Sequence, residues 1–394
     1  MTPDKKKIAI IGGHNTSQNN LISGVLRYRF ERFRWSIASD AAPGEFHADE
    51  RISLDTLNGF ECDGVLYIGR DQSSTSPAEV RGQLESLGVP IVYTSPMSDI
   101  GYCTPCVVPD DRAIGRLMAE YFLNLGFRNF AFYTIADGYP FLQLREASFT
   151  ETISTAGYSC NVIREKAVFT KNRYAELANR LQAWLRALPK PIAVGACFDG
   201  FAAELICQCR EIGLRVPEEV AFLGVYNKTT TCLATNPPLS SVDVNLPECG
   251  YRASLLLERL MAGEKAPTKP IFIPPTGIVV RGSSDTIMID DPDVAQWVHY
   301  IRAHLDEGIT VQQLADHANI SLRSLQMRFK KALQHSPGEE IRRIRIDKAS
   351  ELLRETNLSM IQIAQACGFS NQTSFGTTFK RIVGQTPTEY RNQR

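Results

Sequence analysis

The chain has 394 residues, 43% hydrophobic, 9% aromatic and 22% charged, which excludes disordered and fibrous proteins and implies two to four domains. Lysine plus arginine and aspartate plus glutamate both number 43, so the formal charge is zero and the whole-chain average carries no sign of a polyanionic partner. No apolar run approaches the ~20 residues of a bilayer span, and the lysines before Ile8 lead into no signal-peptide pattern, so no membrane association and a cytoplasmic location are expected.

In chain order, short apolar runs alternate with helical patterns. Ile8 to Gly12, Gly64 to Gly69, Pro90 to Thr94, Asn129 to Ile135, Ile192 to Cys197 and Val220 to Val225 read as strands buried on both faces. Leu21 to Phe33, Arg112 to Leu125, Arg145 to Ala156, Arg173 to Ala187 and Phe201 to Ile212 read as amphipathic helices. This alternation predicts parallel sheets with helices on both faces. It is too long for one such sheet and restarts near Arg128, so two similar lobes with a cleft at their strand ends are expected. Ten scattered cysteines fit reduced thiols. Cys103 and Cys106 have a metal or redox spacing, but no second Cys or His pair matches them, so they read as buried small hydrophobes.

Several segments here resemble the LacI/GalR-type sugar-sensing domains. They are Val107 to Gly115, Leu123 to Phe132, Gly213 to Gly224, Pro238 to Val242 and the closing Val280 to Asp285. The resemblance implies a periplasmic-binding-protein fold whose two lobes close on a small molecule. It places His14, Asn15 and Asn19 after the first strand, and Arg145 at the start of the first helix of the second lobe. It also places Asp199 after the strand ending at Cys197, and Asn227 after Val225. Amides, carboxylates and a guanidinium suit the hydroxyls of a sugar, and Phe141 offers an apolar face. Tyr226 stands where related sensors usually carry an aspartate, which leaves a non-sugar effector open.

No constellation for chemistry emerges. There is no Gly-x-Gly-x-x-Gly opening a helix, no Walker-type lysine and no His-Glu-x-x-His, so neither an enzyme nor a cofactor or metal is expected.

The last hundred residues differ. From Ser321 onward thirteen basic residues face six acidic ones, an excess that residues 1–320 offset. Asp290 to Asp293 is a charged break, with Asp293 as helix cap and Val294, Trp297, Ile301 and Leu305 on one face. Beyond that helix the sequence is duplicated. Val311-Gln312-Gln313-Leu314-Ala315 parallels Met360-Ile361-Gln362-Ile363-Ala364 at an offset of 49, and Ser336-Pro337 parallels Thr386-Pro387 at 50.

Each copy reads as a helix, a turn at Asn319 or Gly368, a serine N-cap and a second helix. Burying Leu322, Leu325 and Phe329 in copy one, and Phe375 and Phe379 in copy two, turns polar residues outward. Those positioned to meet DNA are Ser321, Arg323, Ser324, Gln326, Met327, Lys330 and Lys331, then Asn371, Gln372, Thr373, Thr377, Lys380 and Arg381. Polar side chains suit base edges in a major groove, and the cations suit phosphates.

This segment resembles the AraC/XylS-type DNA-binding domain, whose signature stands as Ile361 to Ser370, Ser374-Phe375, Phe379-Lys380-Arg381, Gly384, Thr386-Pro387 and Glu389-Tyr390-Arg391. The expected fold class is an α/β two-lobed periplasmic-binding-protein-like domain followed by an all-α domain with two helix-turn-helix motifs. Its parts are residues 1–285, a linker 286–293 and residues 294–394.

A LacI/GalR-like sensor ahead of an AraC-type reader resembles the regulators of xylose operons. The resemblance implies a sequence-specific transcription regulator, an activator, that answers to D-xylose or a related pentose. Its expected partners are double-stranded DNA with operator half-sites, the small-molecule effector, a second copy in a homodimer, and RNA polymerase. A sugar-modifying enzyme and a transport-type sugar-binding protein are the competing classes.

Overall fold

The computed structural model describes residues 6–12, 16–32, 35–38, 61–69, 77–95, 102–136, 139–165, 174–286, 291–333 and 335–391. His14 and Asn15 lie outside these. The chain divides into two units, residues 1–286 and 287–394.

The first unit opens with β1 (Lys6–Ile11), α1 (Thr16–Arg32), β2 (Trp35–Ala38), β3 (Gly64–Tyr67), α2 (Pro77–Ser86) and β4 (Ile91–Tyr93). These strands form a parallel sheet in the order β2-β1-β3-β4. Next come β5 (Val107–Pro109), α3 (Asp111–Asn124), β6 (Phe130–Ile135), α4 (Pro140–Thr155), β7 (Cys160–Glu165), α5 (Tyr174–Ala187), β8 (Ile192–Ala196), α6 (Asp199–Glu211), β9 (Val220–Val225), α7 (Thr229–Cys232) and β10 (Ser240–Asp243). The unit closes with α8 (Leu246–Met261), β11 (Ile271–Ile273) and β12 (Gly277–Val279). The second sheet runs β12-β10-β9-β8-β6-β7, parallel except for β12.

Ile8 to Ile11, β8 and β9 are buried along their length, as strands covered on both faces must be. The chain passes between the lobes three times. After β5 it enters α3, which packs on α4 and β8; after β10 it returns in α8 to pack on α1, β3 and β5; after β11, paired with β5, it crosses back to β12. The second lobe therefore starts at Asp111, not near Arg128, because α3 buries Ile114, Met118 and Phe122. A second correction concerns α4. It begins at Pro140, whose fixed φ suits a first helical position, so Arg145 lies inside this helix and α3 is the lobe's first.

The second unit is all helix: α9 (Pro292–Ala303), α10 (Val311–His317), α11 (Leu322–Leu333), α12 (Pro337–Glu355), α13 (Met360–Ala366), α14 (Gln372–Val383) and α15 (Pro387–Arg391). It holds two cores. Val294, Trp297, Ile301, Leu314, Leu325 and Phe329 form one, and Ile363, Ala364, Cys367, Phe375 and Phe379 form the other. Helix α12 serves both, giving Ile341 and Ile344 to the first and Ile346, Ala349 and Leu353 to the second.

Local chemistry fixes these helices. Thr310 with Gln313 and Ser359 with Gln362 form capping boxes on α10 and α13, and Ser336 with Glu339 does so on α12. Thr386 and Glu389 exchange the same two bonds before α15, so the sequence repeat is also a repeat of caps. Three expectations need correction. Asp291, not Asp293, caps α9, with Pro292 at the first position. Leu322 stands at the start of α11 with 39% exposure, outside the face that Leu325 and Phe329 bury. Asn371, not Ser370, caps α14: its Oδ1 accepts the Ser374 N–H at 2.8 Å, the same three-residue spacing that Ser321 has to Ser324 fifty positions earlier.

Candidate functional site

In the second lobe the carboxyl ends of β6, β8 and β9 gather the residues expected in a cleft. Arg145 is fully buried. Its Nε and Nη2 donate to Asp111 Oδ1 at 3.2 and 2.5 Å, and its Nη1 donates to the Cys197 carbonyl at 2.5 Å. Gly115 permits this contact between α3 and α4, since a methyl group there would stand 2.2 Å from the Arg145 carbonyl oxygen. Burial alone would discourage the Arg145 charge, and the Asp111 carboxylate restores it. Three rings surround the guanidinium, those of Phe141, Phe198 and Tyr226, at 5.8, 5.9 and 5.5 Å.

Asp199 opens α6 and is buried. Its Oδ2 accepts the Lys228 N–H at 2.7 Å, and its Oδ1 accepts the Ser241 hydroxyl at 2.5 Å. Burial pushes its carboxyl up to about 6 against these bonds. Tyr226 and Asn227 follow β9 with φ of +98° and +49°. A tyrosine in the left-handed region costs on the order of 1–3 kcal/mol, so its surroundings must impose that turn. They do so through the bonds of Tyr226 N–H to the Val242 carbonyl and of Asn227 N–H to Ser241 Oγ, at 3.0 and 2.9 Å. The Asn227 amide donates to Asp243 at 3.3 Å and accepts from Arg281 at 2.8 Å.

The structure thus brings Phe141, Arg145, Asp199, Tyr226 and Asn227 to one end of one lobe. Asn19 is exposed on α1 in the other lobe. Sequence reasoning missed Asp111, Phe198 and Tyr102. The Tyr102 hydroxyl is buried without a partner among the described residues, and burial, with the Asp111 charge second, discourages its ionisation. A separate cavity of about 370 Å³, lined by Thr134, Gln143, Glu146 and Arg164 among others, contains none of the expected residues.

In the second unit α10 and α11 form one helix-turn-helix, and α13 and α14 the other. Asn319 and Gly368 occupy the turns at φ +52° and +68°. At Gly368 a methyl group would stand 2.0 Å from the Leu305 carbonyl oxygen, so only glycine fits. Arg323, Gln326, Met327, Lys330 and Lys331 are exposed on α11, and Gln372, Thr373, Thr377, Lys380 and Arg381 on α14. Ser324 is half-buried. Ser321 and Asn371 are exposed, but their oxygens accept helix N–H groups at 3.2 and 2.8 Å, so they hold the helix starts. Helix starts of this kind are suited to phosphate. Met327, 66% exposed, offers an apolar contact such as a thymine methyl accepts. Arg328 was not anticipated. It reaches back from α11 to Asp291 and Asp293, 4.8 Å above the Trp297 ring.

Among the described residues no helix is long and apolar enough to cross a membrane, and no cluster of ligand side chains could hold a metal ion.

Residues 119–284 match the periplasmic binding protein-like domain family, and residues 314–393 a helix-turn-helix domain family. The xylose operon regulatory protein of Escherichia coli K12 is 30% identical over 352 residues, 87% of each chain. Its counterpart in Haemophilus influenzae is 28% identical over 397 residues, 99% of each chain. The solved structure of a xylose-binding transcription activator superposes over the full length of both chains, with a TM-score of 0.68 and 27% identity.

Proposed function

The chain belongs to the family of xylose operon regulatory proteins, which are DNA-binding transcription regulators and not enzymes, and from that premise we propose that it responds to D-xylose or a related pentose. The observation that carries this reading is the joining of a two-lobed cleft to a duplicated helix-turn-helix in one chain. Effector contacts fall to Phe141 and Tyr226 and to His14, Asn15 and Asn19 after β1, with Arg145, Asp199 and Asn227 shaping the wall behind.

On the DNA side, Arg323, Gln326, Gln372 and Thr373 read base edges, and Lys330, Lys331, Lys380 and Arg381 hold phosphates. The protein works in the cytoplasm as a homodimer on half-sites spaced by multiples of ~34 Å, and activates by engaging RNA polymerase. Sugar can shift DNA binding only by the difference in its affinity for the two arrangements of the dimer.

The test is a thermal-shift panel of pentoses, hexoses, their alcohols and sugar phosphates, run beside fluorescence anisotropy on operator duplexes. A pentose should raise Tm by mass action and alter duplex affinity. If no sugar shifts Tm while salt-sensitive duplex binding persists, the effector reading fails and the DNA reading stands.

A further inference from the structure

Helix α12 passes from one core of the reader to the other at a single residue. Ile341 and Ile344 belong to the first core, Ile346, Ala349 and Leu353 to the second, and Arg345 stands between the two sets, half-buried. Its Nη2 donates at 3.0 Å to the carbonyl of Ile309, the residue before the Thr310 cap of α10. The same guanidinium lies 5.6 Å from the centre of the Phe369 ring, which is buried in the second core directly after the Gly368 turn. One side chain thus bridges the approach to the first helix-turn-helix and the turn of the second.

The backbones meet at the same place. A methyl group on Gly368 would stand 2.0 Å from the Leu305 carbonyl oxygen and 3.0 Å from Gly308 Cα, so the second turn rests on the loop that leads into α10. A shared helix fixes the distance between two cores but lets them swing as it bends, and a second contact away from its axis removes that freedom. Arg391 makes a matched contact inside the second copy. Its Nη2 donates at 2.6 Å to the carbonyl of Leu358, forty-nine positions after Ile309 and likewise just before a cap, and so ties α15 to the start of α13.

We propose that this seam, with Arg345 as its positioning residue, fixes the separation and angle of α11 and α14, so that the reader selects DNA by the number of base pairs between its two subsites as well as by their sequence. This rests on the reading of α11 and α14 as the DNA-facing helices. One base pair moves the second subsite by ~3.4 Å along the duplex and roughly 35° around it, a change that a hinged pair of helices follows and a rigid pair does not.

The test uses duplexes that the full-length protein selects from a random pool, footprinted and then remade with one base pair inserted or removed between the two subsites. The unaltered protein should lose at least about tenfold in affinity on either change, about as much as a mismatched base pair costs. In Arg345→Gln that loss should shrink to roughly threefold or less, whatever the affinity for the parent duplex, whereas Arg391→Gln should keep it in full. If Arg345→Gln does not fold, Arg345→Lys, which keeps the charge without the planar fork, is measured in its place and should shrink the loss in the same direction. An undiminished loss in a folded Arg345 variant, an equal shrinkage in Arg391→Gln, or indifference of the unaltered protein to spacing overturns the proposal while the DNA reading stands. Failure to enrich any duplex overturns both.

Discussion

Arg145, inside α4, and Asp111, the first residue of α3, form a buried ion pair across 34 positions of sequence at the point where the chain enters the second lobe. Removing one partner strands the other as an uncompensated charge, so Arg145→Ala or Asp111→Ala should each cost roughly 3–5 kcal/mol in denaturant unfolding. Replacing both with Met and Leu should cost much less than the sum, because the desolvation penalty disappears with the charges. Additive losses would contradict this account.

Asp199 makes a pH prediction. Its carboxyl is raised in the folded protein to about 6 from an ordinary 3.8, so between these values the folded state holds the proton more tightly. Stability from this group is therefore present below pH 4 and lost as pH rises through 6, by about 3 kcal/mol in all. Asp199→Asn lacks that slope. The stability of the variant relative to the unaltered protein should improve between pH 4 and pH 7, and a constant difference across that range would be incompatible with burial as the cause.

The two turns offer a matched comparison. Asn319 and Gly368 hold equivalent left-handed positions, and at Gly368 an added methyl group would strike the Leu305 carbonyl. Gly368→Ala should destabilise the reader by more than about 2 kcal/mol, from αL strain plus the clash. Asn319→Gly should change stability by less than about 1 kcal/mol. Similar losses at both sites would mean that the Leu305 contact is unimportant.

The duplicated reader was legible because its signals are local: caps, turn residues and buried aromatics recur within twenty positions of one another. The lobes were legible from apolar runs, since β8 and β9 are buried throughout. The wall of the cleft was not. Whether Arg145 faces a ligand or a carboxylate depends on Asp111, and no local pattern joins positions so far apart. Phe198 belongs to no sequence motif, and its stacking on Tyr226 is a contact between positions that no local pattern joins. The shift of a cap from Ser370 to Asn371 follows the point at which the offset between the copies changes from 49 to 50, since Asn371 stands fifty positions after Ser321 and caps at the same spacing.

On the reading face, base-edge and phosphate residues should separate by salt. Arg323→Ala and Gln372→Ala should each cost about 1–3 kcal/mol in binding to cognate duplex and little on random DNA. Lys380→Ala should weaken both alike and reduce the salt slope by about 1. Effector-induced thermal shifts should survive in all three. An equal loss of effector and DNA binding would mean that sensor and reader are not separate units.

Arg328 supplies the last test, because it lies on the first reading helix yet is ion-paired with Asp291 and Asp293, near the start of the reader unit. Those carboxylates neutralise a cation that would otherwise add to the positive field over α11. Asparagine caps helices as well as aspartate does, so Asp291→Asn should leave α9 and the thermal stability of the reader nearly unchanged while removing one negative charge. Duplex affinity measured by anisotropy across a range of salt concentrations should then rise at the low-salt end, with a slope steeper by about 1 as Arg328 turns to a phosphate. An unchanged slope would show that Arg328 stays on Trp297 and Asp293 whatever its partner at 291, and that its role is to hold α9 against α11.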